Sequence, residues 1–322
     1  MCKTIRDVKT HLANPEFEID EPLIGTYGAE VEEPKFGHNG VRYYPVHLWD
    51  YTGTIKAYAP EAGWPDIVDG AASKLHCGIL LKPDRWGSSQ AVIHPLPDLG
   101  PERSPMELLP AHVAPEIENL ERLVDLFECL KTPAYRRFLE QVFRDDVFTR
   151  TFVTAPASGY CHHVETGGLL AHSLEVAEAV KAAVRGIEGI PSMFKEAAII
   201  TGLLHDAGKA SLMGPDAKHY PRLRHQHEDL LEFALCGPLD SLKADNLDAA
   251  SALWGTIKAY LTGNTYNMPL ASLIRGADGA SAQGSAIRIH GHAIKGAYWS
   301  KLGGRRPVWI PPQSVEPGIL QR

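Results

Sequence analysis

The sequence predicts an α+β chain of two domains, a small β domain over residues 1–100 followed by an all-α domain over 116–285, and three observations carry that prediction. At 322 residues the chain exceeds one average domain, for which about 150 residues is the usual prior. Its hydrophobic periodicity changes from alternation before residue 100 to helical spacing after residue 115. Between the two, Pro95, Pro97, Pro101, Pro105 and Pro110, with Gly100 among them, mark a linker centred on 101–115. Hydrophobic content of 44% and charged content of 22% are those of a folded globular chain and exclude collagen-like or wholly disordered classes.

In the β domain Tyr44-Pro45-Val46-His47-Leu48-Trp49 alternates, Asp50-Tyr51-Thr52-Gly53 is a turn sequence, and Thr54-Ile55-Lys56-Ala57-Tyr58 returns as a second strand. A second hairpin is expected from Lys74 to Lys82 and Gln90 to Leu96, with the turn at 83–89. Helical signals are nearly absent there. From about 115, Ile117, Leu120, Leu123 (or Val124) and Phe127 share a face, and Pro133 starts a segment that runs to Phe148. After a break at 155–159, Leu170, Leu174, Ala177, Val180 and Val184 repeat at helical spacing, and further helices are expected near 193–207, 226–236, 246–261 and 269–283. The stretch 286–322 holds six Lys/Arg against one Glu and reads as a basic, loosely structured tail.

The longest strongly apolar run, Ala197 to Leu204, is far shorter than the roughly 20 residues of a membrane span, so no membrane partner is expected. The N-terminus mixes charges from its first residues without the apolar stretch of a secretory signal, which predicts a cytoplasmic protein. Five cysteines without close pairing indicate neither a disulfide framework nor a thiolate zinc site. A net charge of −7 speaks against a surface coated in cations for nucleic acid, although a local basic groove remains compatible with it.

Histidine is the unusual residue. Of fifteen, seven (His162, His163, His172, His205, His219, His225, His227) fall between 162 and 227, where an even spread places about three, and clustered histidine suggests metal. The sharpest local signal is Leu203-Leu204-His205-Asp206-Ala207-Gly208-Lys209, an adjacent imidazole and carboxylate at the end of an apolar helix, which Gly208 would terminate. His172 lies near the start of the Leu170/Leu174 helix, and Asp278 follows the apolar Leu273-Ile274 segment at a mostly buried phase. These four residues make a metal set drawn from three helices.

The pattern H…HD…D, given by His172, His205-Asp206 and Asp278, resembles the signature of the HD phosphohydrolase superfamily across residues 150–285. Within it, Pro156-Ala157-Ser158-Gly159-Tyr160-Cys161-His162-His163-Val164-Glu165-Thr166-Gly167-Gly168-Leu169-Leu170-Ala171-His172-Ser173-Leu174-Glu175-Val176 is similar to the block of YhaM-type 3′→5′ exoribonucleases, which place an OB-fold ahead of the HD domain. The stretch Leu48-Trp49-Asp50-Tyr51-Thr52-Gly53-Thr54-Ile55-Lys56-Ala57 is similar to the strand-turn-strand of such OB domains. The same HD block also resembles the N-terminal domain of TraI-like (MobH) conjugative relaxases. Where the YhaM-type enzymes carry a second His-His pair after the HD motif, this chain has Trp254-Gly255-Thr256-Ile257-Lys258-Ala259-Tyr260, with no histidine.

The resemblance implies an N-terminal OB-fold-like barrel, an HD-domain helical bundle, and metal-dependent phosphodiester hydrolysis, foremost by a 3′→5′ exonuclease acting on single-stranded RNA or DNA. It leaves two alternatives, a phosphohydrolase of small nucleotides and a nucleic-acid-binding module of a mobile element, and a homo-oligomer stays open. His172, His205, Asp206 and Asp278 would hold one divalent ion, or two with Asp206 as bridge and His227 serving the second. Imidazole plus carboxylate suits Mn²⁺ first, then Fe, Co or Ni. Asp206 and Lys209 would act in catalysis, Lys209 on a substrate phosphate or as a solvated helix-end lysine. His162, His163 and Gly168 would line the substrate site. Aromatic residues are dense between 43 and 86; of these Trp49 is expected in the core, and Tyr51, Tyr58 and Trp86 are candidates for stacking bases, at about 1–3 kcal/mol each.

Overall fold

A computed structural model describes residues 3–13, 21–38, 40–61, 73–83, 89–96, 100, 102–159, 162–212, 227–264, 268, 270–290, 299–300 and 308–309. The chain divides into two compact units, Met1–Asp125 and Leu126–Arg322.

The first unit opens with α1 (Ile5–Leu12), a helix that the near absence of helical signal did not predict. Its start is a capping box: Asp7 N–H donates to Thr4 Oγ1 at 3.2 Å, and Thr4 N–H donates to Asp7 Oδ2 at 2.8 Å. The strands follow as β1 (Leu23–Val31), β2 (Lys35–Phe36), β3 (Arg42–Asp50), β4 (Gly53–Pro60), β5 (Ser73–Pro83) and β6 (Ser89–Pro95). Hydrogen bonding runs β1-β5-β6-β4-β3 and back to β1, which closes a five-stranded barrel, with β2 added along β3. The β4–β6 pair is parallel and its neighbours are antiparallel. Both expected hairpins are present, β3–β4 turning at Asp50↔Gly53 and β5–β6 pairing from Cys77↔Pro95 to Pro83↔Ser89. Closure leaves no long edge unpaired.

Burial alternates along β4, and the inward residues Tyr27, Val46, Leu48, Ile79 and Ile93 fill the barrel together with Ile5 and Val8 of α1. Trp49 is buried, as expected. Strand β1 escaped prediction because Gly25 and Gly28 interrupt its apolar pattern. Gly28 is required there: a Cβ on it would sit 2.2 Å from the Trp49 ring. The turn after β3 is held by Asp50, fully buried, whose carboxylate accepts from Thr52 N at 2.8 Å, Thr52 Oγ1 at 2.6 Å and Ile5 N at 3.0 Å.

The expected linker is not a free spacer. Its described residues hold a short 3₁₀ turn, η1 (Pro105–Leu108), with Met106 and Leu109 buried and Arg103 donating to Thr26 O at 2.8 Å. His112 stacks on Trp49 with ring centres 3.9 Å apart. Proline punctuates the stretch, but its apolar and cationic side chains have partners in the first unit.

Helices make up the second part: α2 (Ile117–Glu128), in which the division falls, α3 (Pro133–Val142), α4 (Asp146–Thr154), α5 (Gly168–Arg185), α6 (Ser192–Leu204), α7 (Gly208–Leu212), α8 (His227–Asp245), α9 (Leu247–Thr262) and α10 (Ala271–His290). The stripe Leu170, Leu174, Ala177, Val180 and Val184 is buried along α5, which packs on α6 and α10. Helix α8 continues past the expected end at 236 through Pro238, and Leu242 in its last turns is buried. The expected tail from 286 is helical up to His290, and β7 (Trp299–Ser300) pairs with β8 (Val308–Trp309). No helix among the described residues is long and apolar enough to cross a membrane.

Candidate metal centre

Three helical elements bring the four predicted ligands together. His172 projects from the second turn of α5, His205-Asp206 forms the junction where α6 ends and α7 begins, and Asp278 lies in α10. His172, His205 and Asp206 are buried and form a group able to hold a metal ion. His172 Nε2 lies 3.2 Å from His205 Nε2, 3.6 Å from Asp206 Oδ2 and 3.3 Å from Asp278 Oδ1. His205 Nε2 lies 3.5 Å from Asp206 Oδ2 and 3.7 Å from Asp278 Oδ1. Bonds of about 2.1 Å to one ion put neighbouring donor atoms roughly 3.0–3.5 Å apart; His172, His205 and Asp206 are mutually close enough for a shared ion, while Asp278 approaches the two imidazoles without belonging to that group.

The surrounding hydrogen bonds turn both Nε2 lone pairs inward. His205 Nδ1–H donates to Gly202 O at 2.8 Å. Ser281 has one proton to give and donates it to the Glu175 carboxylate at 2.6 Å, so at 2.9 Å it accepts from His172 Nδ1–H. Two facing lone pairs repel, and a cation or a proton must lie between them. Of the two rings, His205 is the one favoured to carry it: burial opposes its charge, but Asp206 and Asp278 outweigh burial and push its pKa up to about 10. Burial lowers that of His172. The Asp278 carboxyl, despite burial, is held well below the usual range by the His172 and His205 imidazoles beside it. A metal entering here displaces the proton.

Further side chains orient the set. Tyr260 of α9 donates its hydroxyl to Asp278 Oδ2 at 2.9 Å, and burial followed by the Asp278 charge raises its phenol pKa. Lys209 Nζ lies 2.5 Å from Asp206 Oδ2. Glu175 is pushed down to about 2: burial alone would raise it, but His163, Ser281 and Arg288 outweigh that. Sequence reasoning missed Ser281, Glu175 and Tyr260. The available signal was spacing, because Glu175 follows His172 by three residues and Ser281 follows Asp278 by three, which puts each pair on one helix face.

The double histidine sits beside the centre. His162 and His163 have ring centres 5.4 and 5.3 Å from that of His172. Burial, then the neighbouring His172 and Lys209 charges, lower His162 to about 4, so it is neutral at pH 7. Among described non-glycine residues His163 alone has a positive φ, +43°. That strained conformation is over-determined: its N–H donates to Ser285 Oγ at 2.9 Å, its carbonyl accepts from Ala157 N at 2.9 Å, and its Nε2 lies 3.3 Å from both Ser281 Oγ and Glu175 Oε2. Gly168 makes room for that loop, since a Cβ on it would meet the His163 carbonyl oxygen at 2.2 Å.

The remaining candidates are His227, Trp86, Tyr51 and Tyr58. His227 is the first residue of α8, and its side chain is outside the description, as is Trp86 entirely. In the barrel Tyr51 and Tyr58 are half-buried, with Tyr58 edge-on to Tyr43 at 5.8 Å. The chain matches no family model, no curated protein and no solved structure.

Proposed function

We propose that the chain is a metal-dependent phosphohydrolase of the HD superfamily, with an OB-fold ahead of its catalytic helices, and that it removes nucleotides from the 3′ end of single-stranded RNA or DNA. The observation that supports this furthest is the meeting of His172, His205, Asp206 and Asp278 with both Nε2 lone pairs turned inward at 3.2 Å. The closed five-stranded barrel supports the OB reading, and the half-buried Tyr58 and Tyr43 are side chains on which bases would stack.

A divalent cation, Mn²⁺ as first choice for two imidazoles and two carboxylates, supplies charge neutralisation at the phosphoryl oxygens and acidifies water. The chain's own residues do the rest. His172, His205, Asp206 and Asp278 hold the cation. Tyr260 fixes the rotamer of Asp278, and Ser281 fixes the ring of His172. Lys209 offsets the charge of Asp206 and stands as the cation for an incoming phosphate. His162, neutral at pH 7, is an imidazole able to take up a proton beside the centre.

The test is incubation with 5′-labelled single-stranded RNA and DNA in Mn²⁺, with Asp206→Ala as control. A ladder that shrinks from the 3′ end and is absent in the variant is expected. Phosphate release from free nucleotides without shortening of the polymer replaces this function with that of a small-nucleotide phosphohydrolase. A bound ion without either activity replaces it with nucleic-acid binding alone.

A further inference from the structure

The second unit holds a cleft of about 980 Å³ that none of the metal-centre residues lines. It is lined by Lys131, Arg136, Lys181, Arg185 and Lys195, against a single carboxylate, Glu128. The floor is apolar, formed chiefly by Leu130, Val184 and Ile199, of which all three are buried. Five cations around one cleft are out of keeping with a chain of net charge −7. Lys181 and Arg185 lie nine and thirteen residues beyond His172 on α5, about 14 and 20 Å along the helix axis, so the cleft sits at the other end of α5 from the metal centre.

The cations are arranged rather than scattered. Arg136 is fixed by donating to Leu130 O at 2.8 Å and Glu128 O at 2.6 Å, with its guanidinium 5.4 Å from the Phe127 ring. Lys195 Nζ is held at 2.5 Å from Ile187 O. Lys181 Nζ lies 2.8 Å from the Sγ of Cys129. Among the described residues Lys131 and Arg185 have no carboxylate partner at all. Cations held near one another without counter-charge repel, and an anion that enters the cleft relieves that repulsion.

We propose that this cleft is a binding site for a nucleoside polyphosphate, separate from the metal centre and independent of what that centre does. The terminal phosphate of a nucleoside polyphosphate carries about −1.5 to −2 at neutral pH and each bridging phosphate about −1, so a chain of two or three phosphates, at roughly −3 to −4, matches the excess of cations. The Arg185, Lys181 and Lys131 heads receive the phosphates, Arg136 offers a planar guanidinium for bidentate contact, and the nucleoside lies on the aliphatic floor. The volume is at the upper end of the roughly 300–1,000 Å³ typical of small-molecule sites.

The test is calorimetric titration of the full chain with ATP in EDTA, which removes the metal centre from consideration. ATP is expected to bind the native protein and Asp206→Ala alike, and the double variant Lys181→Glu/Arg185→Glu at least tenfold more weakly. Adenosine, which lacks the phosphates, should also bind at least tenfold more weakly. Both charge reversals are at surface positions, and circular dichroism checks that the helices persist. A second readout needs no variant: the exposed Cys129 lines the cleft, and ATP should slow its alkylation by iodoacetamide, followed on its own peptide by mass spectrometry. No binding at about 1 mM ATP, equal binding by the double variant, unprotected Cys129, or laurate binding as tightly as ATP would each overturn the proposal. Loss of ATP binding in Asp206→Ala alone would assign the nucleotide to the metal centre and overturn it as well.

Discussion

Ser281 accepts a hydrogen bond from His172 Nδ1–H at 2.9 Å and donates its own to Glu175 at 2.6 Å, so that one hydroxyl sets the tautomer of a candidate ligand histidine from outside the candidate set. Outer partners of this kind typically change metal affinity about 10- to 100-fold. Ser281→Ala is therefore expected to weaken Mn²⁺ binding by about that factor in equilibrium dialysis, while Ser281→Thr, which keeps the hydroxyl, restores most of it. Equal affinities in the alanine variant and the native chain would remove Ser281 from this role.

Gly168 is packed against the His163 carbonyl, with no space for a methyl group. Gly168→Ala must push the His163 backbone away and is expected to destabilise the chain by about 1–3 kcal/mol, read as a lowered melting temperature. A glycine kept only for substrate contact would show unchanged melting and altered activity.

Asp50 satisfies three donors in a fully buried position. Asp50→Ala strands the amides of Ile5 and Thr52 and leaves Arg103, 3.7 Å away, without its buried counter-charge. The expected cost is about 3–5 kcal/mol in denaturant unfolding followed by tryptophan fluorescence, since Trp49 adjoins Asp50 in sequence and is buried in this unit.

Glu175 is lowered to about 2 by His163 and Ser281 against the opposing effect of burial. A depressed carboxylate stabilises the folded chain above its unfolded pKa, near 4.5, and that contribution is lost as pH falls from there toward 2. Melting curves of the native chain, stripped of metal, and of Glu175→Gln are expected to differ at pH 6 and to converge only as the pH falls to about 2. A difference that stays constant over this range would show that the carboxylate's charge is not what matters.

Much of this was legible in the sequence. The two hairpins follow from strict alternation around turn residues, and the α5 stripe follows from helical spacing, because local periodicity dictates them. The four ligands were legible as a motif, yet nothing local states that Asp278 meets His172 and His205, since that depends on α10 packing against α5. Strand β1 was hidden by Gly25, which makes room for the Tyr27 ring, and Gly28, which admits Trp49, a partner twenty-one residues away in sequence. The packed stretch at 102–113 was hidden by its prolines, which signal a break in regular structure but say nothing of burial. Ser281 and Glu175 are ordinary surface residue types, and only the fold gives them a ligand to orient.

Helix α10 carries Asp278, Ser281 and Ser285 at intervals of three and four residues, serving in turn a ligand position, the ring of His172 and the amide of His163. One residue inserted or deleted between 271 and 277 would rotate all three by about 100° around the helix. Ligand, orienting hydroxyl and loop anchor would then be lost together. The three roles thus share one helix register, and a single slip of α10 touches candidate ligand, hydroxyl and loop anchor at once.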